Sequence, residues 1–558
     1  IDNHAMSMRI ALLQSDQKLA ETQGLLAVDL IEQQYEKLES ERLGPSWSSR
    51  THEVYVELAE MYLNVYQDSG DELALDKAFN MTERSRAISL RQQFASQQES
   101  ILPVHGVSPG VSTNIEAERA QIAMISEIAN VYAVSNSLDD SEISLPTSYY
   151  RHQDLLSLYR LQGLRNLPVP AAMTREQIQA RLLPKQAVLF YLMTENSSYV
   201  FTLTSRQLTV SRQDDREGTE QLIAEARLAL ADPNASPYST LMQLSDRLLG
   251  NIPALNNVNE LFIVPHGSLH TLPFSALPLP GSTRYEPLGS RFALQLLPSV
   301  STWLMDKTVN EDIGNTDIAI FADPVFNNGL PVQQFATLES PNPLELRSWS
   351  GTLERLVNTA IEAENITALF PEERTVLLTG ESASRANLAR EDIRHAKVLH
   401  IATHGYFNAA SDDNVGLGFS VVDENGTPDS GFVTLPELFS HDFFNELVLI
   451  SGCDTAMGRP LAGEGMMGIS RGFVAQGVKH VISTLWPVSD RASADFIAIF
   501  YRQLLDLGNV SQALQATRIE IQQNPSYRNP FYWAAYVLTS VSQDQNIAFP
   551  RAQLSQNS

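Results

Sequence analysis

The sequence contains one cysteine, fewer basic than acidic residues, and no long apolar run. The lone thiol, Cys453, excludes an intramolecular disulfide framework and a zinc site built from several thiolates. With 39 Lys and Arg against 65 Asp and Glu, the formal net charge is −26, and the average surface repels nucleic-acid phosphates and anionic lipid. No apolar run approaches the roughly 20 residues of a membrane-spanning helix. We therefore expect a soluble protein that binds neither nucleic acid nor membranes directly.

The length of 558 residues predicts three or four domain-sized units, at roughly 150 residues each. A composition of 43% hydrophobic and 19% charged residues is typical of a folded globular chain. The chain opens at Ile1, without Met and without a basic segment followed by an apolar one, which favours a fragment or a processed form. We expect a cytoplasmic protein, although this N-terminus carries no information about export.

Residues 1–183 are predicted to be helical, because apolar residues recur three and four apart and β-branched runs are few. The clearest segment is 52–95, where two apolar stripes flank a polar break at 67–71. This pattern predicts a helical hairpin typical of tetratricopeptide repeats, with an irregular helical bundle as the alternative. Two further helices are predicted at 113–134 and 146–165.

The composition changes near residue 184, after a short helix opened by a capping-box pattern at Thr174 and Gln177. From Ala187 onward, β-branched and aromatic runs alternate with amphipathic helices, which predicts a mostly parallel sheet covered by helices on both faces. The predicted strands are 188–192, 199–203, 208–211, 261–264, 318–322, 375–378, 398–402, 447–451 and 480–483. The predicted helices are 217–231, 238–249, 351–369, 383–391, 464–476 and 491–507.

Two of the predicted strands end in residues that suit nucleophilic catalysis. One delivers His404 and Gly405, and the other delivers Cys453. In such sheets, reactive groups gather at the carboxyl ends of strands. A free thiol with a pKa near 8.5 is mostly protonated at neutral pH, and a neighbouring imidazole can take its proton. The N–H groups of Gly405 and Cys453 could then stabilise the oxyanion formed when the thiolate attacks an amide carbonyl.

Each signal also has a structural explanation. A lone cysteine at a strand end is most often a small buried hydrophobe, and a strand-end histidine is usually a hydrogen-bonded structural residue. His400 within its buried strand is predicted to be such a core histidine, and Trp533 is predicted to be core packing. The pair of His404 and Cys453 on separate strands is what favours catalysis.

Several strings in a fixed order extend this pattern from about residue 185 to 540. They are Pro265-His266-Gly267 with Leu272-Pro273-Phe274, Ala322-Asp323-Pro324, Ala363-Glu364, Leu399 to Gly405, Ser451-Gly452-Cys453-Asp454-Thr455, Gly463-Glu464-Gly465, Leu485 to Asp490, and Pro530 with Tyr532-Trp533-Ala534. Together they resemble the CHAT family, caspase-like domains that accompany tetratricopeptide repeats in bacteria and group with caspases, separases and gingipains. His266 stands where the family usually has Asp, and Gly452 stands where many members have Ala.

The resemblance implies a caspase-hemoglobinase fold in which Cys453 is the nucleophile, His404 the general base or thiolate partner, and Gly405 N–H an oxyanion donor. It implies a helical region at 1–183 and a protease domain at 184–545, with a tail at 546–558. The protease domain would divide into a pseudo-catalytic half at 184–310 and a catalytic half at 311–545. No cofactor and no metal are predicted.

The segment ending at Asp490 resembles the separase stretch that lines the pocket for the residue before the cut. By that analogy Asp490 would favour a basic residue there and Trp486 would form a pocket wall. The alternative is that Asp490 is the N-cap of the helix that follows.

The resulting functional prediction is a cysteine endopeptidase that cleaves a partner protein, possible roles including bacterial defence. A regulatory protein or complex would bind through the helical region and hold or release the activity. The isolated chain is expected to be weakly active, with loops at 408–414 and 456–465 reordering on activation. The alternatives are a catalytically silent caspase-like scaffold and, more remotely, a hydrolase of small amides or thioesters.

Overall fold

A computed structural model describes most of the chain. The described residues are 1–35, 43–101, 170–195, 197–250, 252–253, 255–281, 284–305, 314–326, 355–407, 415–422, 424–425, 431–438, 441–452, 458–461, 463 and 465–549. The predicted helices at 113–134 and 146–165 and the predicted loop at 408–414 lie outside these residues.

The helices and strands below are numbered in chain order. The α-helices are α1 (Asp2–Leu13), α2 (Gln17–Tyr35), α3 (Leu43–Ser69), α4 (Glu72–Arg84), α5 (Ile88–Ile101), α6 (Arg175–Gln179), α7 (Arg216–Leu230), α8 (Tyr238–Leu249), α9 (Leu288–Arg291), α10 (Val300–Leu304), α11 (Val357–Thr367), α12 (Glu391–Arg394), α13 (Leu435–Leu438), α14 (Ile469–Ala475), α15 (Asp490–Leu507) and α16 (Val510–Ile521). The strands are β1 (Gln186–Met193), β2 (Ser197–Thr204), β3 (Leu208–Asp214), β4 (Glu260–Val264), β5 (Ala293–Leu296), β6 (Ile318–Pro324), β7 (Thr375–Gly380), β8 (Val398–Ala402), β9 (Gly405–Phe407), β10 (Val415–Gly418), β11 (Phe432–Thr434), β12 (Leu447–Ile450), β13 (Gly458–Leu461), β14 (Gly465–Gly468), β15 (His480–Thr484) and β16 (Tyr536–Ser540).

Eleven strands form one continuous sheet in the order β3-β2-β1-β4-β5-β16-β15-β12-β8-β6-β7. The strands β1, β4, β5 and β16 run parallel to one another, and so do β15, β12, β8, β6 and β7. The two blocks meet where β15 pairs antiparallel with β16. The sheet therefore consists of two parallel halves of opposite direction, extended at one edge by the antiparallel strands β2 and β3.

Both faces of the sheet are buried, because strand residues alternate between two apolar cores. In β8, Val398 and Ala402 join the core under α7, α8, α11, α15 and α16, whereas Leu399 and Ile401 face the opposite core. This arrangement explains why the strands are apolar along their whole length. The predicted class, a mostly parallel sheet flanked by helices and preceded by a helical region, is confirmed.

The helical region shares its core with the sheet. Helices α1 to α4 pack on β1, β2 and β4, with Phe79 edge-on to both Phe190 and Phe201 at 5.8 and 5.7 Å between ring centroids. Helix α5 continues along the same face onto the second half of the sheet, where Phe94 joins the core that contains Leu399. One helical layer thus spans both halves of the sheet.

Local signals set several boundaries as expected. The break predicted at 67–71 is the turn between α3 and α4, where the side chain of Asp71 caps α4 by accepting from Leu73 N–H. Thr174 and Gln177 form the predicted capping box at the start of α6. No helix in the described ranges combines the length and apolarity needed to cross a bilayer.

Two predicted helices are wrong in part. The segment 383–391 is a 3-10 turn, Ala386–Ala389, followed by α12, because Arg390 between them has an extended backbone. The segment 464–476 begins as strand β14, and α14 starts only after Gly468, whose extended conformation ends the strand. Glycine suits this change of direction because it costs little to place in either conformation.

Candidate active site

The two predicted catalytic strands are direct neighbours. Strands β8 and β12 pair in parallel, with Leu447 opposite Val398 and Ile450 opposite Ile401. Every pair in this register is 49 residues apart in sequence. His404 and Cys453 are separated by the same 49 residues. The carboxyl ends of β8 and β12 therefore lie side by side at one edge of the sheet.

His404 lies two residues beyond the end of β8 and is half-buried. Its ring lies against Phe326, with the centroids 5.0 Å apart, and its carbonyl accepts a hydrogen bond from Gly418 N–H at 2.9 Å. A Cβ at Gly418 would lie 3.0 Å from Phe326 Cε1, so the small residue allows the phenylalanine to approach. The backbone of His404 is thus held by strand β10 while its ring reaches the edge of the sheet.

The partner strand is described as far as Gly452. Ser451 N–H donates to Ile401 C=O at 2.9 Å, which continues the pairing of β12 with β8 beyond the last strand residue. The hydroxyl of Thr484, at the end of β15, donates to the carbonyl of Gly452. Cys453 lies outside the described residues, and its predicted role as nucleophile and oxyanion donor stays a prediction.

The other predicted site residues occupy different surroundings. Gly405 begins β9, an edge strand of a small separate sheet in which β10 lies between β9 and β11. Its role as an oxyanion donor stays a prediction. Trp486 is only 3% exposed, and its indole N–H donates to Phe531 C=O at 3.0 Å, so the ring packs in the core. Its contribution to a substrate pocket likewise stays a prediction.

Asp490 is the first residue of α15. The N-cap is Ser489, whose hydroxyl accepts a hydrogen bond from Ala492 N–H. The alternative that Asp490 is itself the N-cap is therefore wrong, because the serine before it already caps the helix. A role of Asp490 in substrate recognition stays a prediction.

A buried polar cluster lies beneath the ends of β8 and β12. Glu362 on α11 is 2% exposed, and its Oε1 lies 2.8 Å from His400 Nε2 on β8. Its Oε2 accepts hydrogen bonds from the hydroxyls of Ser451 at 3.2 Å and Ser493 at 3.4 Å. The hydroxyl of Tyr501 lies 3.0 Å from His400 Nδ1. We call these five residues the Glu362 cluster.

Of this cluster, only His400 was predicted, as a core histidine with its hydrogen bonds satisfied, and this is confirmed. Burial and the nearby Glu362 carboxylate raise the pKa of Tyr501 well above its usual value, so its phenol stays neutral and can donate to His400. A signal for Glu362 exists in the sequence, because it precedes Ala363 and lies four residues before Ile366 on the inward stripe of its helix.

A second buried cluster surrounds His266, the residue that replaces the usual Asp. Met193 N–H donates to His266 Nδ1 at 2.8 Å, and the two Nε2 atoms of His266 and His52 lie 3.2 Å apart. His266 Nε2 therefore carries the hydrogen of the neutral ring and donates to His52. Burial, with the nearby Arg86 guanidinium, lowers the pKa of His266 well below its usual value and that of His52 to about 3.

The described parts of the chain contain no group of three or more His, Cys, Asp or Glu residues arranged to hold a metal ion. The described residues just beyond β8 and β12 include the imidazole of His404, the backbone amides of Gly405 and Ser451, and the hydroxyls of Thr403 and Ser451. Chemically, this set can activate a neighbouring nucleophile and bind a developing negative charge.

Two curated proteins are similar to this chain in sequence. Tetratricopeptide repeat protein 28 of Mus musculus is 22% identical over 378 residues, which are 61% of this chain and 14% of that protein. The Homo sapiens protein of the same name is 28% identical over 109 residues, 20% of this chain and 4% of that protein. The chain thus spans a small part of the length of the curated relatives it matches.

Among solved structures, the Saccharomyces cerevisiae separase–securin complex matches at a TM-score of 0.40 and 10% identity, over 89% of this chain and 37% of that chain. The complex of the pro- and mature domains of Porphyromonas gingivalis RgpB matches at a TM-score of 0.32 and 8% identity, over 58% of this chain and 75% of that chain. The family model described as the CHAT domain matches residues 238–540, which is more than half of the chain. The chain therefore belongs to the CHAT domain family.

Proposed function

We propose that the protein is a cysteine endopeptidase in which His404 and Cys453 form the catalytic dyad. The observation that carries this proposal is the register of β8 and β12, whose pairs are separated by the same 49 residues as His404 and Cys453. In a parallel pair, residues at equal register share a face of the sheet. Strand β8 ends two residues before His404 and β12 ends three residues before Cys453, which supports a site formed by both residues at this edge of the sheet.

The chemistry follows from these two groups. His404 takes the proton of the Cys453 thiol, and the thiolate attacks the carbonyl carbon of a peptide bond. The oxyanion that forms accepts hydrogen bonds from Gly405 N–H and Cys453 N–H. The C–N bond then breaks, the imidazolium protonates the leaving amine, and water hydrolyses the thioester with His404 as general base. No metal or cofactor takes part in these steps.

The proposal includes a preference for a basic residue before the cut. The motif from Leu485 to Asp490 resembles the separase pocket, and a carboxylate in such a pocket would pair with a guanidinium or ammonium group. A cytoplasmic location and a role in bacterial defence are further expectations of the family resemblance.

Control by a protein that binds the helical region is also part of the proposal. Two contacts support it: Ala87 N–H donates to Gly463 C=O at 2.6 Å, and Arg471 donates to the Ser89 hydroxyl at 2.9 Å. Gly463 lies in the turn between β13 and β14, ten residues beyond Cys453. A partner that shifts α5 would therefore act on the segment that follows the nucleophile.

The test is identification of new N-termini after incubation of a proteome-derived peptide library with the full chain, alone and with candidate regulators. We expect cleavage sites that disappear in Cys453→Ala and in His404→Ala. His395→Ala is the matched control, since His395 is also half-buried and lies against a phenylalanine ring, Phe444, at the other end of β8. Cleavage that persists in both dyad variants would refute the dyad.

Alkylation of the thiol, measured beside cleavage, distinguishes the peptidase from the scaffold alternative. Because Cys453 is the sole cysteine, alkylation by iodoacetamide reports on that one thiol. A wild-type thiol that reacts as an ordinary thiol with a pKa near 8.5, together with no cleavage in the presence of a bound regulator, would favour a silent scaffold.

A further inference from the structure

The Glu362 cluster joins four elements near the carboxyl ends of β8 and β12. Glu362 belongs to α11, His400 to β8, Ser493 to α15 and Tyr501 to α15, while Ser451 follows the last residue of β12. Strand β16 is attached as well, because the hydroxyl of Tyr536 donates to Ser493 at 2.9 Å. The carboxylate of Glu362 contacts both His400 in β8 and Ser451 just beyond β12.

The hydrogen bonds of the cluster run in a single consistent direction. A carboxylate accepts only, so His400 Nε2 bears the hydrogen that points at Glu362, and the neutral Tyr501 phenol donates to His400 Nδ1. Ser451 and Ser493 then donate to the second carboxylate oxygen. Every polar atom at the carboxylate has a partner, which is what a charge with 2% exposure requires.

A buried carboxylate is a poor way to stabilise a fold, because taking the charge out of water offsets most of what its partners contribute. Replacing Glu362 alone by an apolar residue would leave the N–H of His400 and the hydroxyls of Ser451 and Ser493 without this acceptor. What the carboxylate adds is geometry: it holds Ser451 relative to β8 through a side chain that is itself fixed by His400. Ser451 lies two residues before Cys453.

We propose that Glu362 is a positioning residue of the peptidase, which fixes the start of the Cys453 segment through Ser451 and the β8 strand through His400. The inference rests on the proposed function. It adds that the pairing of thiol and imidazole depends on a residue that touches neither of them. Without the hydrogen bond between Glu362 and Ser451, the start of the Cys453 segment is no longer fixed. The thiol is then no longer held next to the His404 imidazole, which lowers the thiol pKa.

The role makes a specific distinction between two substitutions of Glu362. In Glu362→Gln the amide oxygen can accept from His400, and the amide nitrogen can donate to Ser451 and Ser493, because serine hydroxyls accept as well as donate. The geometry is then kept and only the charge is lost. In Glu362→Ala the link itself is lost. A positioning role predicts that the glutamine variant resembles the wild type and the alanine variant does not.

The experiment measures the rate of Cys453 alkylation by iodoacetamide between pH 5.5 and 9.5, using the full chain. In Glu362→Ala and Ser451→Ala we expect the apparent thiol pKa to rise by about one unit, which lowers the rate well below that pKa about ten-fold. In Glu362→Gln and Ser451→Thr we expect the wild-type profile within about two-fold.

The matched control is Ser540→Ala. Ser540 is fully buried and its hydroxyl lies 3.0 Å from His480 Nδ1, so this variant breaks a buried serine–histidine contact of the same sheet away from β8. We expect a lower melting temperature and an unchanged alkylation profile. If Glu362→Ala does not fold, Ser451→Ala carries the test by itself.

The outcomes separate the inference from the function. The positioning role is overturned, and the dyad kept, if the alkylation profile of His404→Ala differs from that of the wild type while the profiles of Glu362→Ala and Ser451→Ala match it. A Glu362→Gln profile that shifts as far as that of Glu362→Ala overturns it too, because charge and not position would then matter. A wild-type profile that His404→Ala does not change contradicts the dyad and the inference together.

Discussion

Two His-Gly pairs follow parallel strands of the same sheet, and they have opposite environments. His266-Gly267 begins two residues after β4, and His404-Gly405 begins two residues after β8. His266 is 7% exposed, hydrogen-bonded to the Met193 backbone and covered by His52 from the helical region. His404 is half-buried, held through its backbone, and packed against the tilted ring of Phe326.

The comparison shows that a histidine at the exit of a parallel strand is not by itself a catalytic group. What separates the two exits is the side chain that lies against each ring: His52 of the helical layer covers His266, whereas Phe326 lies against His404. A second difference lies beside the strand: β12, the neighbour of β8, leads to Cys453, whereas β1 and β5, the neighbours of β4, are followed by Thr194 and Leu297.

The largest effect expected from this comparison is on catalysis. His404→Ala should lower the rate of peptide cleavage at least about 10³-fold, because removal of the general base leaves the thiol protonated, while the free energy of unfolding changes little. His266→Ala should instead lower the free energy of unfolding and change the intrinsic cleavage rate of the folded protein little. It leaves the Met193 N–H without an acceptor and creates a cavity, which costs about 2–3 kcal/mol of stability.

Both variants are measured for cleavage of the library peptides and for unfolding by denaturant. Equal losses of activity in the two variants, at temperatures where both are folded, would contradict the assignment of separate roles to the two exits. His395→Ala serves again as the control for removal of a ring from the surface of the sheet.

The buried histidines at the end of β4, His266 and its partner His52, should also make the free energy of unfolding depend on pH. We call this end of β4 the sealed exit. His52 and His266 are neutral in the folded state with lowered pKa values, whereas unfolded histidines have a pKa near 6.5. The unfolded state therefore binds protons that the folded state does not, so stability is complete above about pH 6.5 and falls as the pH decreases. The expected loss is about 1.4 kcal/mol per pH unit for each histidine, or about 2 kcal/mol each at pH 5.

The measurement is denaturant unfolding at pH 7.5, 6.0 and 5.0. His52→Gln should reduce the slope of stability against pH, because one proton-binding site is removed from the difference between the states. Arg86 lowers both pKa values further, and the buried His270, whose pKa is lowered to about 3, adds to the same loss. Burial raises the pKa of Glu83, and the protonation of Glu83 in the folded state opposes the loss as the pH falls through that raised pKa. A stability that is constant between pH 7.5 and 5.0 would show that the histidines are not sealed.

The sequence was sufficient to predict the strands that alternate with helices and the strand ends that lead to His404 and Cys453. Strands β1, β4, β6, β8 and β15 lie where β-branched and aromatic runs predict them, because apolar residues along a whole strand have few other interpretations. The residue pair His404 and Cys453 could be named because each follows a mainly apolar run that predicts a buried strand.

The residues that depend on tertiary contacts could not be predicted. Strands β5 and β16 join the two halves of the sheet, and their pairing of Thr539 with Leu296 connects segments that lie far apart in sequence. The place of Glu362 on the inward stripe of α11 indicates burial, but no local pattern identifies its hydrogen-bond partners on β8, β12 and α15. The pairing of His266 with His52 involves residues 214 apart, and no local pattern reports a contact of that length.

The smallest expected effect tests whether the two exits communicate. Gly465 of β14 has a φ of +86°, and a Cβ there would lie 3.3 Å from His270 Cε1, next to the sealed exit. Gly281 is the control, with a φ of +72° and nothing within 4 Å of a Cβ. Both substitutions by alanine should cost about 1–2 kcal/mol of unfolding free energy through backbone strain, with a further loss at Gly465 from the contact with His270.

Because β14 follows the segment that contains Cys453, displacement of this strand should also change the alkylation rate of the thiol. We expect about a two-fold to three-fold change in Gly465→Ala and none in Gly281→Ala. Equal unfolding free energies and equal alkylation rates in the two variants would mean that the sealed exit and the catalytic exit are independent. A change confined to Gly465→Ala would identify the contact between β14 and His270 as the route by which the helical layer reaches the thiol.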